Sequence, residues 1–198
     1  MNFNILDLLL RIPAILIAIT FHEYAHGWAA YKLGDPTPKL YGRLTLNPLA
    51  HLDPIGTIML IIFRFGWAKP VPINPNNFYN YRRDTVLVSL AGPGANFLLA
   101  ILFALLSRIF LPLYIPALSA FLVTSTFINI ALAIFNLIPI PPLDGSRLLL
   151  LVLPDRYMYV MGYLEQYGFI LIAALLIFTD FIRIVVSPIV NLLFSIFI

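Results

Sequence analysis

Apolar residues run almost unbroken from Ile5 to Leu33. At about 1.5 Å per residue that run crosses a hydrocarbon core of about 30 Å. Pro13 lies inside it, where a kink near the outer end is expected. Polar and turn-forming residues follow over 34–53, around an alternating stretch from Leu40 to Leu46 that reads as a short strand. Residues 54–63 are apolar again but too few to span. A run of that length predicts a re-entrant or interfacial segment that returns the chain to its own side. Prolines at 70, 72 and 75 make 64–84 an extended or edge-strand segment. Further spans are predicted over 85–111 and 117–138, with the tight turn "PLYIP" between them. The prolines of "IPIPPLDGSR", residues 138–147, end the third span. Residues 146–164 read as amphipathic and interfacial, a fourth span covers about 166–186, and an apolar tail follows Pro188. The pattern predicts an all-α integral membrane protein, a helical bundle of about four to six transmembrane segments. A short re-entrant and β-hairpin element separates its first two full spans. One membrane-embedded domain is expected over 1–198, with a core at about 5–147 and C-terminal helices at about 148–198.

Composition agrees with this pattern. The 198 residues are 61% hydrophobic and 11% charged, with a mean hydropathy of +0.95. Soluble domains run at about 45–50% apolar and about 25% charged. The absence of cysteine excludes a disulfide framework and thiolate metal ligands. The N-terminus is not expected to be a signal peptide, because Asp7 and Arg11 interrupt the run and no basic region precedes it.

The net charge is only +3, but its distribution orients the chain. With the N-terminus outside, the inner loops hold Lys32, Lys39, Arg43, Arg64, Lys69, Arg82, Arg83, Arg147 and Arg156. Only Arg11, Arg108 and Arg183 remain outside, as the positive-inside rule requires. The bias depends on residues 54–63 being re-entrant. If they spanned, Arg64, Lys69, Arg82 and Arg83 would change sides.

Against that apolar background, "AITFHEYAHGWAAYKLG", residues 18–34, puts two of the chain's three histidines and a glutamate inside the first span. His22 and His26 are four apart, so on a helix both imidazoles leave the same face. That spacing suits two nitrogens binding one metal ion at about 2.0–2.1 Å. Glu23 lies beside them, placed to take a proton from a water. An ionised group at the bilayer centre costs about 2.5–3.5 kcal/mol even on the gentle insertion scale, so such residues are usually functional.

A catalytic zinc takes three protein ligands and keeps an open position. Two residues compete for the third place. Asp144 follows the third span, at a depth matching that of His22, which lies about 26 Å along the first. His51 sits in the polar loop on the same side. As a bland alternative, Asp144 with Gly145 makes an ordinary turn.

"HEYAH", "FGWAKPVPINP", "AGPGAN" and "NLIPIPPLDG" occur in that order over about residues 20–147, and together they resemble the site-2 protease family of intramembrane zinc metalloproteases. The resemblance implies one zinc ion per chain held by His22, His26 and Asp144, with Glu23 as the general base. It also implies that Asn136, and in a second place Asn96, hydrogen-bonds the substrate or a developing oxyanion. For both asparagines the plain alternative is an interhelical hydrogen bond, and Gly92 and Gly94 read as close-packing positions. "GWAKPVPINP" resembles the family's membrane-associated β-hairpin, whose edge would pair with an unwound substrate.

A compact member without an added regulatory domain is expected, since "PLYIP" and a short tail stand where relatives carry such modules. The expected partners are the lipid bilayer and a transmembrane protein or peptide substrate, with no nucleic acid. The expected location is a prokaryotic plasma membrane, with the active site towards the cytosol. Two other readings stay open: a membrane metal-ion carrier and a non-catalytic protein that holds membrane helices.

The topology has a direct test in this cysteine-free chain. Lys39→Cys and Lys69→Cys variants should both resist an impermeant thiol reagent added outside intact cells. Labelling of the Lys69→Cys variant alone would make 54–63 a true span.

Overall fold

A computed structural model of the chain describes residues 5–63, 67–154, 156 and 158–198. It is all-helical, with no strand among the described residues. The long helices are α1 (Ile5–Lys32), α4 (Tyr81–Phe110), α5 (Pro116–Asn136) and α7 (Met158–Phe178). Shorter pieces are α2 (Thr37–Leu40), α3 (Pro54–Phe63), α6 (Leu149–Val152) and α8 (Ser187–Phe197). Helices α4, α5 and α7 are each long and apolar enough to cross a membrane, and α1 packs against α4 and α5. The chain is an integral membrane protein.

Close packing follows from small residues at the helix contacts. Ala14, Ala18 and Ala30 of α1, Ala100 and Ala104 of α4, and Ala133 of α5 are all buried. Without a hydrophobic drive between helices in lipid, such residues let backbones approach and van der Waals packing accumulate. Helix α4 is central, touching both α1 and α5 along much of its length. Pro13 is carried inside α1 and Pro93 inside α4 without ending either helix.

Several boundaries depart from the sequence expectation. Helix α4 begins at Tyr81, inside the segment expected to be extended. Its start is fixed by a reciprocal cap: Arg83 N–H donates to Asn80 Oδ1 (3.0 Å) and Asn80 N–H to Asp84 Oδ2 (2.8 Å). The alternating stretch Leu40–Leu46 forms no strand. Pro36 and Pro38 open the one-turn helix α2, and Gly42, at φ 66°, turns the chain out of it.

The expected β-hairpin is reduced to one antiparallel bridge between Leu52 and Ala68, beside a Lys69 N–H bond to His51 O of 2.9 Å. Prolines at 70, 72 and 75 lack the donors to extend that ladder. Arg64, which entered the charge argument, lies outside the described residues.

At the C-terminal end, the expected interfacial stretch 146–164 is instead a 3-10 turn over Asp144–Leu148, then α6, then the first turns of α7. The fourth span therefore lies about eight residues earlier than expected and stops at Phe178. There the Thr179 hydroxyl bonds back to Leu175 O and accepts from Phe181 N–H (3.3 Å), competing with the helix ladder. The chain re-enters helix through a π turn, Ile182–Val186, that leads into α8.

One polar knot ties the extended segment to the end of α1. The Asp35 carboxylate accepts from Thr37 N–H (3.1 Å) and Oγ1 (2.5 Å), Asn74 N–H (2.7 Å) and Asn77 Nδ2 (2.7 Å). Burial opposes its ionisation, but these bonds together outweigh burial and hold the carboxyl below the ordinary carboxylate value.

Candidate metal and proteolytic site

His22, Glu23 and His26 share the C-terminal half of α1, and the histidines are almost fully buried, at 6% and 7% exposure. Their rings stand edge to face, with centroids 4.6 Å apart. They press on α4 at Gly92, where an added Cβ would lie 2.4 Å from His26 Nε2 and 2.7 Å from His22 Cε1. Only a hydrogen fits between the helix backbone and the two rings.

The hydrogen bonds decide which ring nitrogens point inward. His26 Nδ1 lies 2.8 Å from Val88 O, an atom that accepts only, so Nδ1 carries the proton. His22 Nδ1 lies 2.6 Å from Asn96 Oδ1. That amide is not free to flip, because its Nδ2 donates to Ala18 O at 3.0 Å and to Asn129 Oδ1 at 2.9 Å. In their neutral forms both rings therefore present an unprotonated Nε2 to the same space.

Asp144 completes the group. It follows the turn after α5, where Gly145 fits so tightly that a Cβ would meet Leu137 O at 2.1 Å. Asp144 Oδ2 lies 3.2 Å from His22 Nε2 and 3.3 Å from His26 Nε2, and the two Nε2 atoms are 3.0 Å apart. With both rings neutral, as metal ligation requires, none of the three atoms has a proton for another, and Asp144 Oδ2 is a buried oxygen without a hydrogen-bond partner among the described residues.

Three converging lone pairs repel one another unless a cation sits between them. Atoms bound at about 2.0–2.1 Å in a tetrahedron stand roughly 3.3 Å apart, and two imidazoles with a carboxylate are a catalytic zinc donor set. The residues fit zinc in chemistry and in spacing.

These groups open onto a cavity of about 820 Å³ between α1, α4, α5 and the extended segment. Glu23 lines it, and its Oε2 accepts from Val71 N–H at 3.0 Å. Asn136 also lines it, with one amide N–H bonded to Leu132 O of its own helix at 3.0 Å. Thr85 Oγ1, buried in the same cavity, has no partner among the described residues.

Of the two candidates for a third ligand, Asp144 lies with the histidines and His51 does not. His51 is fully buried elsewhere, bonding Thr45 O through Nε2 at 2.8 Å and facing Arg43 Nη2 from Nδ1. Asn96 is enclosed between helices and bonds a histidine rather than lining the cavity, so the interhelical alternative describes it. Gly92 is the close-packing glycine; Gly94 has nothing within 4 Å of an added Cβ. Nothing in the sequence marks Val88 and Val71, whose backbone groups bond His26 and Glu23. Main-chain partners leave no mark in residue identity.

Residues 112–178 match the family model described as Peptidase family M50, a stretch that contains Asn136 and Asp144. YwhC of Bacillus subtilis (strain 168), whose provisional name makes it a zinc metalloprotease, is 42% identical over 82% of this chain and 78% of its own. Rip2 of Mycolicibacterium smegmatis, provisionally named in the same way, is 33% identical over 85% of this chain and 67% of its own. MJ0611 of Methanocaldococcus jannaschii, also so named, is 31% identical over 75% of this chain and 73% of its own. No solved structure matches the chain. The chain belongs to peptidase family M50, and with it to the zinc metalloproteases.

Proposed function

We propose that the protein is an intramembrane zinc metalloendopeptidase that hydrolyses peptide bonds within or next to the transmembrane helices of membrane proteins. One zinc ion per chain is held by His22, His26 and Asp144. The observation that carries this reading is the meeting of two bare imidazole nitrogens and a partnerless carboxylate oxygen at 3.0–3.3 Å, beside a glutamate and a cavity. A metal-ion carrier or a passive helix holder needs no proton acceptor beside the metal.

Zinc bound there supplies Lewis acidity, which lowers the pKa of a water and polarises a scissile carbonyl. Glu23 takes the proton from the attacking water and delivers it to the leaving amine, while Val71 N–H holds Oε2 and so fixes the carboxylate plane. Asn136 stands in the cavity wall, where turning its amide from Leu132 O would offer a donor to a developing oxyanion.

The site lies in the cytosolic half of a prokaryotic plasma membrane, following the charge bias. A helix hides each carbonyl in its own hydrogen bond, so a substrate must unwind before it reaches the cavity. The extended segment receives it. With no N–H at Pro70, Pro72 and Pro75, and that of Val71 held by Glu23, the segment offers the substrate chiefly carbonyl acceptors.

Glu23→Gln should keep zinc at wild-type content and lose cleavage of a transmembrane substrate by about 10³-fold or more, since it removes the proton acceptor and no ligand. Near-normal turnover by this variant would refute the base assignment. The unwinding requirement is tested in the substrate. Replacing Gly, Pro or Asn in the cytosolic half of its span by Leu should slow cleavage, by about two- to fivefold for Asn or Gly and more for Pro, without altering membrane insertion. Equal cleavage at the same bond would overturn it.

A further inference from the structure

The site leaves one residue with more hydrogen bonds than packing requires. Asn96 is fully buried on α4, one helical turn beyond the glycine that admits the two rings. An apolar side chain there would avoid the cost of burying an amide, which is repaid only when its donors and acceptor are all matched.

We propose that Asn96 is the positioning residue of the metal centre, holding the His22 ring with its proton on Nδ1 and its Nε2 lone pair turned into the site. The inference rests on His22 being a zinc ligand, as read above.

The direction of the hydrogen-bond chain carries the argument. His22 Nδ1 donates to Asn96 Oδ1, Asn96 Nδ2 donates to Asn129 Oδ1, and Asn129 Nδ2 donates to Ser125 O at 2.9 Å. The chain crosses α1, α4 and α5 and ends on a backbone carbonyl, which cannot donate. Reversing any amide would set two donors or two acceptors face to face inside the bundle, so the chain has one polarity. The second N–H of Asn96 grips Ala18 O, one turn before His22 on α1, and fixes the amide against the helix that carries the ring. His26 receives the same instruction from a simpler source, the Val88 carbonyl. Partners of this kind fix the tautomer and orientation of a ligating histidine.

The test uses full-length protein in detergent micelles, stripped of zinc and titrated with zinc against a chelating dye. Asn96→Ala should bind zinc about 10–100-fold more weakly than wild type. Asn96→Asp should bind zinc more tightly than Asn96→Ala, because a carboxylate accepts the same Nδ1 proton even though it loses the bonds to Ala18 and Asn129. A packing role alone predicts the reverse order, since the aspartate buries a charge and breaks two interhelical bonds. Wild-type affinity in Asn96→Ala, or equal weakness in both variants, would overturn the inference. His22→Ala run in parallel separates the two levels. If it loses zinc while Asn96→Ala does not, only the role of Asn96 fails; if it keeps zinc, the metal-site reading fails as well. Should Asn96→Ala not fold, ¹⁵N-histidine spectra of zinc-loaded wild-type protein decide. With three histidines in the chain, the His22 ring should be assignable and protonated on Nδ1. Coordination through Nδ1 would refute the proposal.

Discussion

Two imidazole nitrogens and a carboxylate oxygen face one another at 3.0–3.3 Å in a membrane-embedded bundle, and with both rings neutral none of them has a proton to share. Left alone, that arrangement is repulsive, and the low dielectric around it strengthens the repulsion. The bundle keeps the groups together by giving each a position it cannot easily leave. Hydrogen bonds on the far side of each ring prevent it from turning, and the tight fit of Gly145 against Leu137 fixes the turn that carries Asp144. A divalent cation removes the conflict, and the conflict is the reason to expect one. Polar ligands at this depth are costly without such a use.

The helix packing follows from the same need. Helix α1 must come close enough to α4 for the rings to reach past its backbone, and Gly92 together with buried alanines makes that approach possible. The extended segment is tied to Glu23 through Val71 N–H, and Asp35 anchors its far end to the residues after α1. Arg43 Nη2 secures its near end by donating to Lys69 O at 2.6 Å. One wall of the cavity is thus chain held extended by side chains rather than by a sheet. That suits a surface that must receive another extended chain.

How much of this the sequence announced depends on the range of the interaction. His22, Glu23 and His26 were legible because helical spacing alone puts them together, and Asp144 because the third span before it is about as long as the stretch of the first span that leads to His22. The all-α membrane bundle was legible from apolar run lengths. The strand at Leu40–Leu46 was misread because alternation of apolar residues also occurs in a proline-opened turn of helix followed by a glycine turn. The C-terminal boundaries were misplaced because the stop at Thr179 depends on one hydroxyl competing for a backbone carbonyl, not on hydropathy. Asn96 was visible as a polar residue in a span, but its task depends on which way an amide three helices deep is forced to point. No local pattern encodes that.

The central claim is that the two histidines of α1 and Asp144 converge on a single zinc ion. X-ray absorption at the zinc edge of purified protein reads that shell directly. The account predicts about one zinc per chain, with two imidazole nitrogens and the remaining ligands oxygen, at about 2.0–2.1 Å. A shell with three imidazoles would bring in His51 and displace Asp144, and a shell with one or none would break the pairing of His22 with His26; either result contradicts it.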